Sequence, residues 1–166
     1  KLEPSADAAI GCAAMAFKKG DIDGSVKFFD EAISYETDNV KKAESAYKAA
    51  SVLASAKKIS QARSYAQKAI SFNENYGAPY ILIAQLYAGN YKWNDEPALN
   101  KCTFFAAIDK LQRAKAVDPS VAEEANKLIS SYSAYTPEAK DLFMLGYKAG
   151  DRITIGGWIG ETTTIR

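Results

Sequence analysis

The feature that most constrains this chain is a recurrence. Glu31-Ala32-Ile33-Ser34 returns as Lys68-Ala69-Ile70-Ser71, 37 residues later, and each copy closes the second of two amphipathic segments. Self-similarity at such a period marks stacked supersecondary units, none of which can bury its apolar face alone. The unit reads as a pair of helices. Residues 9–17 are small or apolar; Gly20 ends that run, and Asp21 is placed to cap the next helix. Phe29, Ala32 and Ile33 then share one face at helical spacing. Two helices joined by so short a turn lie nearly antiparallel, as a helical hairpin. A second hairpin opens at residues 46–53 and closes at 60–70, and a third opens at 79–87 and closes at 111–119. The abundance of alanine agrees, because alanine favours helix and lets helices approach closely.

Small and bulky residues recur in register through the three units. They are Ala13, Phe17, Ser25, Phe29 and Ala32 in the first, and Ala50, Leu53, Ala62, Ala66 and Ala69 in the second. In the third they are Ala84, Tyr87, Ala107, Leu111, Ala114 and Pro119. In this pattern the chain resembles the tetratricopeptide repeat family over roughly residues 6–119, with Thr37 and Glu74 standing where that family usually has proline. The resemblance implies an all-α fold, a right-handed α–α superhelix of hairpins at about 6–35, 40–72 and 77–118. A capping box at Ser120–Glu123 and a cap at Thr136-Pro137 predict two further helices, read as a degenerate fourth hairpin over 120–146. The helical repeat domain is then expected to span 1–150.

Two segments depart from the repeat. Residues 89–97 stand where a short turn would suffice and add about eleven residues to the family spacing. Asn94 or Asp95 is placed to cap a helix starting near Pro97. Tyr91 and Trp93 in this loop are residue types enriched in binding hot spots, and they are equally suited to folding back as a local staple. The tail, residues 151–166, is β-branched and glycine-bearing and reads as a β-hairpin packed on the last helices. Its turn is expected at Gly160-Glu161, or at Gly156-Gly157. An isolated hairpin is marginal in water, so this one must pack or pair, and Trp158 is the candidate tail-interface residue, with self-association through the hairpin as one outcome. A similar helix-then-strand ending occurs in tetratricopeptide-like proteins of Bacteroidetes-type bacteria and implies no activity.

Catalytic chemistry finds little to work with. The chain has no histidine, the commonest general base and metal ligand. Gly-Gly-Trp-Ile-Gly in the tail lacks the spacing and following helix of a phosphate loop. Glu123, Glu124 and Asp141 read as capping or surface carboxylates, and Cys12 and Cys102 as small buried hydrophobes. No cofactor or metal is expected, and the chain reads as non-enzymatic. A net charge of +1 without a basic stripe argues against nucleic acid, and no apolar run is long enough to cross a bilayer.

Binding remains. The resemblance implies a concave groove lined by the first helix of each hairpin. By register it would take Asp7, Ile10, Ala14, Phe17 and Lys18; then Glu44, Tyr47, Ser51 and Ser55; then Ile81, Gln85 and Ala88. Relatives that grip a C-terminal carboxylate use a Lys/Asn/Arg cluster at such positions. Ala14 and Ser51 stand at the asparagine positions, so a chaperone-tail adaptor is disfavoured and a helix or apolar segment preferred. The expected partner is a protein or peptide, with Phe17, Lys18, Tyr47, Ser51 and Gln85 as the groove candidates and Tyr91 and Trp93 as the loop candidates. The alternatives are a repeat segment of a cell-envelope assembly and a small-ligand binder using the 89–97 loop. The first helix lacks a polar outer face and the chain starts at Lys1 without methionine, which leads us to expect further repeats, a partner or a leader before it.

Overall fold

Each of the first two hairpins turns on a single left-handed residue. In the computed structural model, which describes residues 3–166, α1 (Ala6–Lys18) pairs with α2 (Ile22–Tyr35), and α3 (Asn39–Ser55) with α4 (Ile59–Phe72). Between α1 and α2 the turn residue is Gly20, at φ 79°. The Asp21 amide donates to the Ala16 carbonyl at 2.9 Å, and the Asp21 carboxylate accepts from the Gly24 amide at 2.9 Å, so one helix is closed and the next capped within two residues. Between α3 and α4, the same place in the repeat holds Lys57, at φ 60°, and the Lys58 amide donates to the Leu53 carbonyl at 2.9 Å. The backbone device is common to both turns, although only the first has the glycine that makes it easy.

The core is built from the recurring small positions. Ala13, Ala32, Ala50, Ala62, Ala66, Ala69, Ala84, Ala107 and Ala114 are wholly shielded, as are Ser25, Tyr87 and Leu111. Alanine at these sites brings neighbouring helices close enough for the bulkier residues to fill the space beside them. One cluster joins Ala13, Phe29, Ala49 and Val52, with Ile10 packed against it; a second joins Ile33, Ala43, Ala46 and Ala69. The buried Ser25 hydroxyl donates to the Ala13 carbonyl at 2.8 Å and stitches α2 to α1 without leaving a polar atom stranded. Two of the recurring positions lie open. Phe17 is 43% exposed, and Pro119 is on the surface.

Contacts divide the chain into two units, one up to Leu82 and one of Ile83–Arg166, with the division inside α5 (Gly77–Gly89). The tail, expected as a segment over 151–166 packed on the last helices, lies within the second unit. That unit continues with α6 (Pro97–Lys101), α7 (Thr103–Val117), a 3₁₀ turn, α8 (Ala122–Ser133) and α9 (Ala139–Met144). It ends in the antiparallel strands β1 (Arg152–Thr154) and β2 (Thr162–Thr164), paired as Arg152 with Thr164, Ile153 with Thr163 and Thr154 with Thr162.

Several local expectations are corrected here. Asp118 caps the 3₁₀ turn of Pro119–Val121, accepting from the Ser120 amide at 3.1 Å and its hydroxyl at 2.6 Å; the N-cap of α8 is Val121, without a side-chain bond, so Ser120 forms no capping box. Thr136 donates to the Ser133 carbonyl at 2.9 Å and caps nothing after it. Asn94 accepts from the Glu96 amide at 2.9 Å, while the N-cap of α6 is Glu96, without a side-chain bond. The helices α8 and α9 do not form a fourth hairpin, since α8 packs on α7 and α9 on α6. The tail does not make a two-residue turn at either glycine pair. Its strands are separated by residues 155–161, tightened by the Ile155 amide donating to the Glu161 carbonyl at 2.8 Å.

Candidate functional site

In the unit up to Leu82 each first helix leaves a stripe of register positions unsealed, and α1 is open more widely, at Cys12 and at Met15 (59% exposed) as well. On α1, Ala9, Ala13 and Ala16 are buried while Asp7, Ala14, Phe17 and Lys18 are exposed. On α3, Ala43, Ala46, Ala50 and Leu53 are buried; Glu44 and Ser55 are exposed, and Tyr47 and Ser51 half-buried. Tyr47 and Ser51 lie one turn apart, and the Ser51 hydroxyl donates to the Tyr47 carbonyl at 3.0 Å, which leaves its oxygen lone pairs as acceptors. The Tyr47 ring packs edge-to-face on Tyr76 with centroids 5.5 Å apart, and that contact fixes its orientation. Two expected groove residues lie elsewhere: Ile81 is core, 4% exposed, and Ile10 packs against the first core cluster. Gln85 is exposed, in the second unit.

The 89–97 loop is held by residues that sequence reasoning did not single out. The buried Asn100 carboxamide accepts from the amides of Trp93 and Asn94, both at 2.8 Å, and donates to the Asn94 carbonyl at 2.7 Å. Thr103, wholly buried, donates to the Tyr91 carbonyl at 2.9 Å. Tyr91 packs on Phe104 at 5.2 Å between centroids. The Trp93 ring lies against Gly156, where an added Cβ would fall 2.7 Å from Cε3. Both loop aromatics thus serve the packing of their own unit. The Trp93 indole N–H is buried without a hydrogen-bond partner.

The tail is clamped on its own unit as well. Trp158 donates its indole N–H to the Asn90 carbonyl at 3.3 Å and packs edge-to-face on Tyr87, centroids 5.5 Å apart. The Tyr87 hydroxyl donates to the Glu161 carboxylate at 2.5 Å, and Lys110 pairs with the same carboxylate at 2.6 Å. One residue earlier on α7, Asp109 accepts from the Thr163 hydroxyl at 2.6 Å and pairs with Arg166. The Trp158 ring is therefore turned toward α5 and the loop after it.

Tyr65, Cys102 and Tyr132 have perturbed acidity. Burial, reinforced by the hydrogen bond to and the negative charge of Asp30, pushes the Tyr65 phenol up to about 12; its hydroxyl donates to Asp30 at 2.8 Å, linking α4 to α2. Burial alone pushes the Cys102 thiol up to about 11 and raises Tyr132. A raised thiol pKa means an unreactive thiol. Cys12, expected to be buried, is exposed; it stands one turn from Ala9 and Ala16 on the flank of the buried stripe, where it borders a surface hollow with Ala8, Ala9 and Phe28. Among the described residues no group of three or more His, Cys, Asp or Glu is placed to hold a metal ion, and no helix is long and apolar enough to cross a membrane.

Solved structures decide the fold. The TPR2B domain of yeast Sti1, in its complex with pHsp70, aligns with a TM-score of 0.60 at 22% identity, over 78% of this chain and 96% of that one. The fold is that of a TPR domain. The first TPR of Spaghetti (RPAP3), bound to an HSP90 peptide, aligns at 0.58 with 17% identity over 78% and 93% of the two chains. A TPR protein of Thermus thermophilus aligns at 0.56 with 16% identity over 84% and 74%. No family model matches the sequence, and no curated protein matches it closely. At these identities the TPR likeness carries the arrangement of helices and nothing about a partner. The TPR positions recognised in sequence coincide, Phe17 and Pro119 apart, with the sealed core.

Proposed function

We propose that this chain is a non-catalytic protein-interaction module that binds an extended or helical peptide along the first helices of its hairpins. The observation that supports this most is the unsealed stripe on α1 and α3. Phe17, at 43% exposure, offers apolar surface; Lys18 and Glu44 offer charge of either sign; Tyr47 and Ser51 offer a fixed ring and an acceptor. Fixed aromatic anchors are the groups that dominate peptide affinity. The Sti1 and RPAP3 domains of the same fold are found with pHsp70 and with an HSP90 peptide. With Ala14 and Ser51 where the resemblance would put asparagine, a terminal carboxylate has no amide grip here, and an internal apolar or helical segment is the preferred ligand.

The test is selection from a random peptide library on the immobilised full chain, followed by affinity measurement with Phe17→Ala, Tyr47→Ala and Ser51→Ala. We expect a consensus with apolar anchors, and a loss of about tenfold or more for Tyr47→Ala, equivalent to about 1.4 kcal/mol. A consensus ending in an obligatory free acidic carboxylate, or binding indifferent to all three substitutions, would overturn the reading.

A further inference from the structure

The strongest unexplained surface is α9. This six-residue helix buries Leu142, and leaves Phe143 74% and Met144 85% exposed. It borders a cavity of about 450 Å³ whose apolar wall is Leu142, Phe143, Met144, Tyr147 and Ile165. A chain that seals so many alanines completely in its core has little reason to leave two large apolar side chains in water, and contiguous apolar surface of this kind marks interaction sites.

The charges around the cavity narrow the occupant. Lys140, Lys148 and Arg166 line it, and among the described residues no acidic side chain does, although the Asp151 carboxylate accepts from the Lys148 amide at 2.9 Å. Arg166 is paired with Asp109, and Lys140 lies 3.3 Å from Glu138; Lys148 has no ion pair among the described residues. Asp141 lines the hollow on the other flank of α9. Two copies meeting through this surface would set lysine against lysine, which disfavours a symmetric dimer. Beside Phe143 the surface is hollow and apolar, a shape that receives an inserted side chain.

We propose that the α9 cavity is a second docking site, separate from the α1–α3 stripe, for an acidic amphipathic peptide segment. A large apolar side chain of that segment sits between Phe143 and Ile165, and a neighbouring carboxylate meets Lys148. Apolar contact supplies the affinity and the basic rim selects the sign of the flanking charge.

The probe is a fluorescent synthetic peptide with a Leu–Phe pair flanked by glutamates, compared with the same peptide flanked by lysines, on the full chain. The acidic peptide is expected to bind about tenfold or more tightly than the basic one. Phe143→Ser should weaken it by a similar factor, Lys148→Glu should invert the preference, and Tyr47→Ala should leave it unchanged. Phe143 and Lys148 are exposed, so both variants should fold, which circular dichroism would verify. Equal binding of the two peptides overturns the proposal. So does acidic-peptide binding lost in Tyr47→Ala and kept in Phe143→Ser, which would move it to the α1–α3 stripe. Sedimentation showing a dimer dissolved by Phe143→Ser would assign the surface to a second copy, and Phe143-dependent binding to phosphatidylserine vesicles without peptide binding would assign it to a membrane.

Discussion

Gly156→Ala should destabilise this protein, and should do so only while Trp93 is present. An ideal Cβ at residue 156 falls 2.7 Å from Trp93 Cε3 and 3.2 Å from Cζ3. Carbon atoms rest at about 3.5–4.0 Å, so the indole must retreat by roughly 1 Å. It has little freedom to do so, since the Trp93 amide is held by Asn100 at 2.8 Å. Overpacking of this kind costs about 1–3 kcal/mol, or a fall of about 2–4 °C in Tm per kcal/mol for a chain of this size. Trp93→Ala alone, at a half-buried site, should cost about 2–3 kcal/mol, below the range for a fully buried indole. In the Trp93→Ala background the clash is gone, and Gly156→Ala should become neutral, or stabilising by about 0.5 kcal/mol through the unfolded chain. The four proteins form a double-mutant cycle, read by urea unfolding followed by far-ultraviolet circular dichroism. A coupling of about 1.5–3 kcal/mol is expected by those figures. Equal cost of Gly156→Ala in both backgrounds would refute the claim that loop and tail are locked through this contact.

Three further outcomes are expected. Lys57→Gly removes left-handed strain at φ 60° and should stabilise by a few tenths to about 1 kcal/mol in thermal melts, once the greater freedom of glycine in the unfolded chain is counted; a loss of stability would contradict the turn geometry. With a thiol–disulfide reagent near neutral pH, exposed Cys12 should react quickly, while Cys102, with its pKa pushed to about 11, should react only on unfolding; the fast phase should vanish in Cys12→Ser. The neutral Tyr65 phenol is favoured by the fold, with a pKa of about 12 against an ordinary 10.0. Its contribution is therefore complete below pH 10 and is lost as pH rises toward 12, so the stability gap between the protein and Tyr65→Phe should narrow across that interval.

The first two hairpins were legible because their cause is local and repeated: alanine at fixed spacing marks close helix contact. Where a device was carried by backbone geometry alone, the letters concealed it. Gly20 announced a left-handed turn; Lys57, in the same place one repeat later, did not, although both close the helix with the same bond. The tail shows a tertiary override. Gly156-Gly157 and Gly160-Glu161 looked like turns, yet the loop is centred on Trp158 because its ring packs on Tyr87 and its N–H meets Asn90. Asn100 organises the 89–97 loop with three hydrogen bonds, and the only sequence cue was an amide in an otherwise apolar stretch. Of the candidate site, the register of α1 and α3 identified open positions, but it could not separate Ile81, which the core covers, from Phe17, which it does not. Face alone is periodic; burial depends on what lies opposite.

The measurement that bears most directly on the proposed binding role is an NMR titration of the isotope-labelled chain with a library-selected peptide, mapping which backbone amides shift. If the first helices form the binding surface, the shifts should concentrate on α1 and α3, around Ala14, Phe17, Lys18, Tyr47 and Ser51. They should also be much reduced in Tyr47→Ala. Shifts confined to α2 and α4, around Asp30 and Tyr65, or absent throughout with every selected peptide, would contradict it.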